Sequence, residues 1–340
     1  MTDLSSLGWD RTGTPPPGAE PGRVARVDRG RLTVLTAQGA RRVVPGAALH
    51  AADGTGPAVG DWVALRGELA VEILPRTSAF VRTVAGRTSA AQVVAANIDL
   101  VLVVDALTGG ARLRRIERYL AVAWSSGATP VVVLTKADLC ADVAAVVGAV
   151  REDALGVEVL PVSSVTGDGL AAVRDLLRPG RTAAMVGPSG VGKSSLANAL
   201  AGRTVAGTRE IRGDGRGRHA TTARELHLLP GGGLLVDTPG MRELGLRDDA
   251  EGIATAYADV GELAAGCRFR DCGHSGEPGC AVAAAIDDGR LDPARFTGWR
   301  KLEAEARRQR LRVDARARAE ERARLRTLHR ARREQPNRSR

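Results

Sequence analysis

Residues 181–201 read RTAAMVGPSGVGKSSLANALA. A β-prone apolar run leads into Gly187, Pro188, Ser189, Gly190, Val191, Gly192, Lys193 and Ser194, a complete G-x-x-x-x-G-K-S, and a helical run follows from Ser195. Strand, glycine turn and helix in that order let successive backbone N–H groups curl toward phosphate oxygens at a helix N-terminus. Lys193 then neutralises β- and γ-phosphates, and the Ser194 hydroxyl ligates magnesium. Such a loop belongs at the carboxyl end of a strand in a helix-flanked parallel sheet.

The neighbouring sequence supplies that sheet. IDLVLVVDA (98–106), PVVVLTKAD (130–138), VEVLPVSS (157–164) and GLLVD (233–237) are apolar strand runs, separated by amphipathic stretches such as RLRRIERYLAVAW. The pattern predicts a doubly wound α/β fold. Thr135, Lys136 and Asp138 end one strand. A carboxylate there accepts both edge N–H donors of guanine and repels the unpaired acceptor of adenine, which favours GTP. The commoner first residue is Asn; Thr keeps a hydrogen-bonding oxygen. Ser163 and Ser164 end the next strand and are placed to back the base. Asp237 and Gly240, in DTPG, hold magnesium through water and meet the γ-phosphate through an N–H.

Between the P-loop and DTPG, Arg203 to Thr222 is rich in glycine and arginine and reads as a switch, with Thr221 or Thr222 as magnesium ligand. Met241 stands where many GTPases carry a water-orienting glutamine, so slow intrinsic hydrolysis is expected; His219 or a partner would then position water, although His219 serves equally well as a structural or RNA-contacting residue. The guanine motif precedes the P-loop, the reverse of the ordinary order, so the domain reads as circularly permuted.

Cys267, Cys272, His274 and Cys280 gather three of four cysteines and one of five histidines within 14 residues. That donor set suits a closed structural zinc site, with a redox thiol cluster as the other reading. Cys140 reads as a packing residue. Five short β-rich runs between Arg23 and about Arg82 predict a small barrel, OB-like or SH3-like. Residues 1–22, with three consecutive prolines, read as a disordered lead-in.

The 340 residues carry a net charge of +10, and residues 300–340 hold 16 basic against 6 acidic side chains, so the excess sits in one C-terminal arm. Its Ala/Arg/Glu/Leu composition from Leu302 to Arg333 predicts a long exposed helix, a solvated face or one for a polyanion. Arginine outnumbers lysine 46 to 3, and two of the lysines, Lys136 and Lys193, fall in the nucleotide motifs. No apolar run is long enough to cross a membrane, and the start lacks the basic and apolar regions of a secretory signal, which points to the cytoplasm.

Taken together, VGDWV, ILPRTSAFVR, AANIDLVLVVDA, the order TKAD, VSS, GPSGVGKSS, DTPGM and the spaced Cys/His set resemble the ribosome-small-subunit-dependent GTPase A family of bacterial ribosome-assembly factors. The resemblance implies an OB-like β-barrel (23–84), a circularly permuted P-loop GTPase domain (85–246), a zinc-binding helical domain (247–299) and a basic helical arm (300–340). It further implies GTP/GDP, Mg2+ and one structural Zn2+ as cofactors. The implied partners are the small ribosomal subunit with its rRNA and other assembly factors on it, with no membrane and a monomeric chain. The implied activity is slow GTP hydrolysis, stimulated by the subunit, in its late maturation. The family's switch commonly has a third threonine where Ala220 stands. Two other classes compete: a P-loop ATPase or kinase in which TKAD is accidental, and a scaffold in which nucleotide is structural and never turned over.

Overall fold

The computed structural model describes residues 3–9, 13–47, 49–83, 91–110, 112–206, 224–237, 250–314, 316–323 and 326. The expectations placed on His219, Thr221, Thr222, Gly240 and Met241 lie outside these residues. The chain divides into two units, Met1–Gly245 with Glu251–Ala258, and Leu246–Ala250 with Asp259–Arg340.

The first unit opens with β1 (Glu20–Asp28), β2 (Arg31–Thr36), β3 (Gly39–Pro45), β4 (Trp62–Arg66) and β5 (Leu69–Ile73). Alternation in β2 turns Leu32, Val34 and Thr36 inward, where the two apolar side chains meet Val24, Val43, Val63 and Leu65 in one core. The order β1-β2-β3-β5-β4 is closed by a β1–β4 pairing, with β3 parallel to β5. That closure decides for the OB arrangement over the SH3-like one. An antiparallel hairpin, β6 (Ala79–Thr83) and β7 (Ala91–Ala96), follows and spans the expected boundary at 84/85.

Next come β8 (Leu100–Ala106), α1 (Leu113–Ser125), β9 (Thr129–Thr135), α2 (Val143–Asp153), β10 (Glu158–Pro161), α3 (Leu170–Leu176), β11 (Thr182–Val186), α4 (Lys193–Ala201), β12 (Glu225–Leu228) and β13 (Leu234–Asp237). β10, β9, β8, β11 and β13 pair in parallel in that order, and β12 is antiparallel beyond them. Every residue of β8 is buried, as expected of a central strand covered on both faces. From β8 the chain winds outward through β9 and β10; it then returns to the other side of β8 as β11. The switch point therefore lies between β8 and β11, where such sheets bind ligands at their carboxyl ends. β12 also pairs with β1 at Arg26↔Glu225, so barrel and parallel sheet form one eleven-stranded sheet.

The lead-in departs from the disordered reading. Ser5–Leu7 form a 3-10 turn, Leu7 is fully buried, and Trp9 packs edge-on against Trp62 with centroids 4.7 Å apart. Arg23, buried in β1, organises the junction. It donates from Nε to the Gly60 carbonyl (3.1 Å), from Nη1 to that of Leu7, and from Nη2 to the Asn97 carbonyl (2.8 Å) and Thr182 Oγ1 (2.9 Å). A buried guanidinium is tolerated because its donors meet fixed acceptors.

α5 (Ala250–Ala256) returns to the first unit, where a Cβ on Gly252 would lie 2.2 Å from the Ala121 carbonyl oxygen of α1. The buried Tyr257 hydroxyl donates to Glu117 Oε2 at 2.9 Å. The second unit has α6 (Ala258–Ala265), α7 (Ala281–Asp287) and α8 (Pro293–Val313), and in it Val260, Val282, Leu291 and Phe296 are buried. Asp292 caps α8 by accepting the Ala294 N–H (2.8 Å), with proline next. α8 runs unbroken through position 300. The long arm helix does not: Asp314 leaves helical geometry and its carboxylate accepts the N–H groups of Arg316 (2.8 Å) and Ala317 (3.1 Å), starting a second helical stretch at 316–323. Arg307 of α8 pairs with Glu321 of that stretch. No described helix is long and apolar enough to cross a membrane.

Candidate nucleotide site and metal centre

Thr135 ends β9 opposite Ala106 of β8, and Val186 ends β11 opposite Val103, so the guanine motif and the P-loop leave the sheet at the same edge. Gly187 takes φ +144°, and a Cβ there would lie 2.1 Å from the Val104 carbonyl oxygen; only glycine lets the loop leave the sheet so close to β8. Gly192, also at positive φ, precedes α4 and, having no side chain, makes no cap bond to its first turn, whose opening N–H groups are of the kind that bind an anion. The Lys193 ammonium donates to the carbonyls of Gly187 (2.8 Å) and Pro188 (2.5 Å), so it is held over the loop. Ser189 and Gly190 are exposed, Val191 is buried in the core beneath, and Ser195 is exposed on α4.

The two motifs are physically joined. The Thr135 hydroxyl donates to the Val191 carbonyl inside the P-loop and contacts the Asp105 carbonyl at 3.2 Å. This is the use to which threonine's oxygen is put. Lys136 adopts left-handed backbone (φ +60°), which turns the chain into a 3-10 turn, Ala137–Leu139, and leaves Asp138 exposed beside it. Ser163, fully buried, donates to Asp138 Oδ1 at 2.6 Å, while the N–H groups of Val165 (3.2 Å) and Thr166 (3.1 Å) donate to the Ser163 hydroxyl. The carboxylate is thereby aimed through one oxygen, and among the described residues its second oxygen has no hydrogen-bond partner. Ser164, half-buried, adjoins it.

Ser194 stands in the first turn of α4, and Asp237 ends β13, the neighbour of β11 in the register Ala184↔Val236. Serine and aspartate supply the hard oxygen donors that magnesium takes. Sequence reasoning missed Asp105. Buried at the end of β8, it accepts Arg115 Nη2 at 2.7 and 2.9 Å and the Ala106 N–H at 2.8 Å, and so fixes α1 to the strand that supports the P-loop. The strand run VVDA contained the residue, but nothing in it named the partner.

In the second unit the ligand atoms of Cys267, Cys272, His274 and Cys280 all lie within 4.8 Å of one another. His274 Nδ1 is 3.5 Å from both Cys267 Sγ and Cys280 Sγ, and those sulfurs are 4.0 Å apart. Tetrahedral bonds of about 2.3 Å to sulfur and about 2.0 Å to nitrogen require S···N near 3.5 Å and S···S near 3.8 Å, so the donor set fits zinc. The thiols differ in acidity. Burial opposes ionisation of Cys267, but N–H groups of Val282 and Ala281 and the thiols of Cys272 and Cys280 outweigh it and lower its pKa. At Cys272 the His274 N–H favours the thiolate, yet burial, the Cys280 and Cys267 thiols and the Cys267 charge push it up to about 11. Three crowded thiols do not all ionise unaided; a dication supplies the opposite charge. The His274 ring packs near Phe296 and Trp299, with centroids at 6.2 and 5.8 Å. Glu277 accepts the N–H groups of Gly273 (3.0 Å) and Ser275 (2.6 Å), fixing the loop between ligands.

A family model described as RsgA GTPase matches residues 73–247. The chain belongs to the RsgA GTPase family. It is 47% identical over 336 residues to the small ribosomal subunit biogenesis GTPase RsgA of Streptomyces coelicolor, covering 93% of this chain and 90% of that one. It is 44% identical to the protein of the same name from Opitutus terrae, covering 89% of each. Among solved structures it is similar to YjeQ from Thermotoga maritima, with TM-score 0.63 and 25% identity over 85% of this chain and 98% of that one. YloQ, described as a circularly permuted GTPase, gives TM-score 0.62 and 25% identity over 87% and 99%. As a member of the RsgA GTPase family the chain is a GTP-hydrolysing enzyme with the permuted order of motifs read from its sequence.

Proposed function

We propose that this chain is a GTP-driven switch in late maturation of the small ribosomal subunit, slow by itself and stimulated by that subunit. The observation that supports it most is the meeting, at one sheet edge, of the P-loop with a Ser163-aimed Asp138 through Thr135. The relatives' names supply the subunit as partner.

In this reading Asp138 accepts the two edge N–H donors of guanine, Lys136 supports the base, and Ser163 and Ser164 back it. The backbone from Gly187 to Ser195 binds the phosphates, and Lys193 moves from the loop carbonyls to the β- and γ-phosphates. Ser194, Asp237 and Thr221 would hold magnesium, whose charge would offset that of the same phosphates. His219 orients water and Gly240 reports the γ-phosphate. Cys267, Cys272, His274 and Cys280 hold one structural zinc. The chain acts as a monomer, and its basic arm and second unit meet rRNA.

Phosphate release from GTP and from ATP, with and without purified small subunits at two salt concentrations, tests the reading. Turnover of GTP alone, slow in isolation and accelerated by subunits most at low salt, is expected. Equal use of ATP defeats the guanine assignment, and indifference to subunits at both salts defeats the ribosomal one.

A further inference from the structure

Phe269 lies between Arg268 and Arg270, on the turn that joins the ligands Cys267 and Cys272. The residue is 45% exposed, the aromatic member among the large apolar residues that the described part of the chain leaves in solvent. A single exposed phenyl is ordinary and calls for no partner. Two further observations set this one apart.

The first is rigidity. The Cys267 N–H donates to the Ala264 carbonyl (3.2 Å), that of Arg268 to Gly279 (3.0 Å) and that of Cys272 to Phe269 itself (3.2 Å), so backbone bonds and metal ligands hold the turn from both ends. The ring is thus presented, whereas Phe296 and Trp299 in the same unit stack on each other at 5.6 Å beside His274. The second is charge. The Arg268 guanidinium lies over the Phe269 ring at 5.5 Å from its centroid, and Arg270 is exposed on the other side in sequence. Among the described residues neither arginine has an ion-pair partner. A preordered aromatic residue with one guanidinium over its ring and a second, exposed arginine next in sequence matches a flat, π-faced group carried on a polyanion.

We infer that Phe269, flanked by Arg268 and Arg270, is a stacking platform for an unpaired RNA base. The inference rests on the ribosomal reading for the source of the RNA, and it adds the group that meets the base. Ring and base stack, and the two guanidinium groups engage the adjoining phosphates. Stacking tolerates any base, so the platform contributes affinity and placement and little sequence preference.

The test uses the full chain, loaded with zinc, and two partners: purified small subunits and a protein-free oligouridylate. Phe269→Ala is expected to weaken binding to both about tenfold, from the usual value of one stacked base. Phe269→Trp restores binding, and Phe269→Leu, apolar without a π face, does not. Arg268→Gln lowers the salt dependence of oligouridylate binding by about one phosphate contact. Zinc content and subunit-free GTP turnover stay unchanged in all four variants, which separates lost contact from lost folding. Wild-type affinity of Phe269→Ala for both partners overturns the platform, as does full activity of Phe269→Leu, which would mark an apolar protein contact. Binding to neither partner by the wild-type chain overturns it too. If the wild-type chain ignores subunits while Phe269→Ala still loses oligouridylate, the platform stands and the ribosomal reading falls.

Discussion

Around the P-loop, position is set by main chain within a buried parallel sheet: Gly187 leaves β11 against β8, and Thr135 donates to a loop carbonyl. Around the cysteine cluster, position is set by side-chain donors on short turns between α6 and α7, over a core of a few apolar residues. The first site is therefore a product of the fold around it. Under the proposed zinc assignment the second works the other way, because a small core with little apolar burial would depend on a metal held by its four ligands. Damage should consequently spread differently from the two sites.

The largest effect is expected from the metal. Cys280→Ser, or chelation of the wild-type chain, removes a term on the order of 10 kcal/mol and unfolds the second unit. Zinc analysis with limited proteolysis should show rapid cleavage after residue 259, while GTP affinity stays within about threefold of wild type. Loss of GTP binding in the same variant would erase the distinction between the sites. Gly187→Ala should act in the opposite sense. The clash with the Val104 carbonyl and the positive φ cost about 2–4 kcal/mol in the first unit, read as a lowered melting transition and lost GTP affinity, with zinc content intact.

The smallest effect sharpens the comparison. Asp259 is paired with the buried Arg295, at 2.7 Å from both Nε and Nη2. Burial raises its pKa, but the Arg295 hydrogen bonds and charge and two backbone N–H groups outweigh it, so the folded value lies below the usual 3.8. The pair's stabilisation is thus complete above pH 4 and is lost as pH falls through the folded value. For a partly exposed carboxylate this amounts to about 1 kcal/mol. Arg295→Met should flatten this part of the acid unfolding curve of the second unit, measured at matched zinc occupancy; an unchanged curve would show that the pair contributes nothing there.

What could be read in advance follows the same division. The P-loop, TKAD, the Ser163 loop and the cysteine spacing are local patterns whose chemistry demands fixed residue types at fixed intervals, and the structure brings each set together. Arg23 was illegible because one arginine among 46 carries no local mark; its four acceptors come from positions 7, 60, 97 and 182. Asp105 and Arg115 were hidden for the same reason, being ten residues apart across a loop. The lead-in misled because prolines at 15–17 say nothing of Leu7, which is buried against the fold. The arm's composition is helical on both sides of Asp314, and the break is due to one carboxylate capping the next turn.

The pairing of β12 with β1 has a practical corollary for anyone who cuts this protein into pieces. β12 is the last strand of the GTPase sheet, and the barrel covers its outer rim through Arg26↔Glu225. A fragment that begins at residue 97 would bare that rim, a row of unpaired amides and carbonyls ready to recruit another copy. A truncation made to isolate the catalytic portion is therefore expected to self-associate more than the intact chain, which light scattering of the two at equal concentration checks.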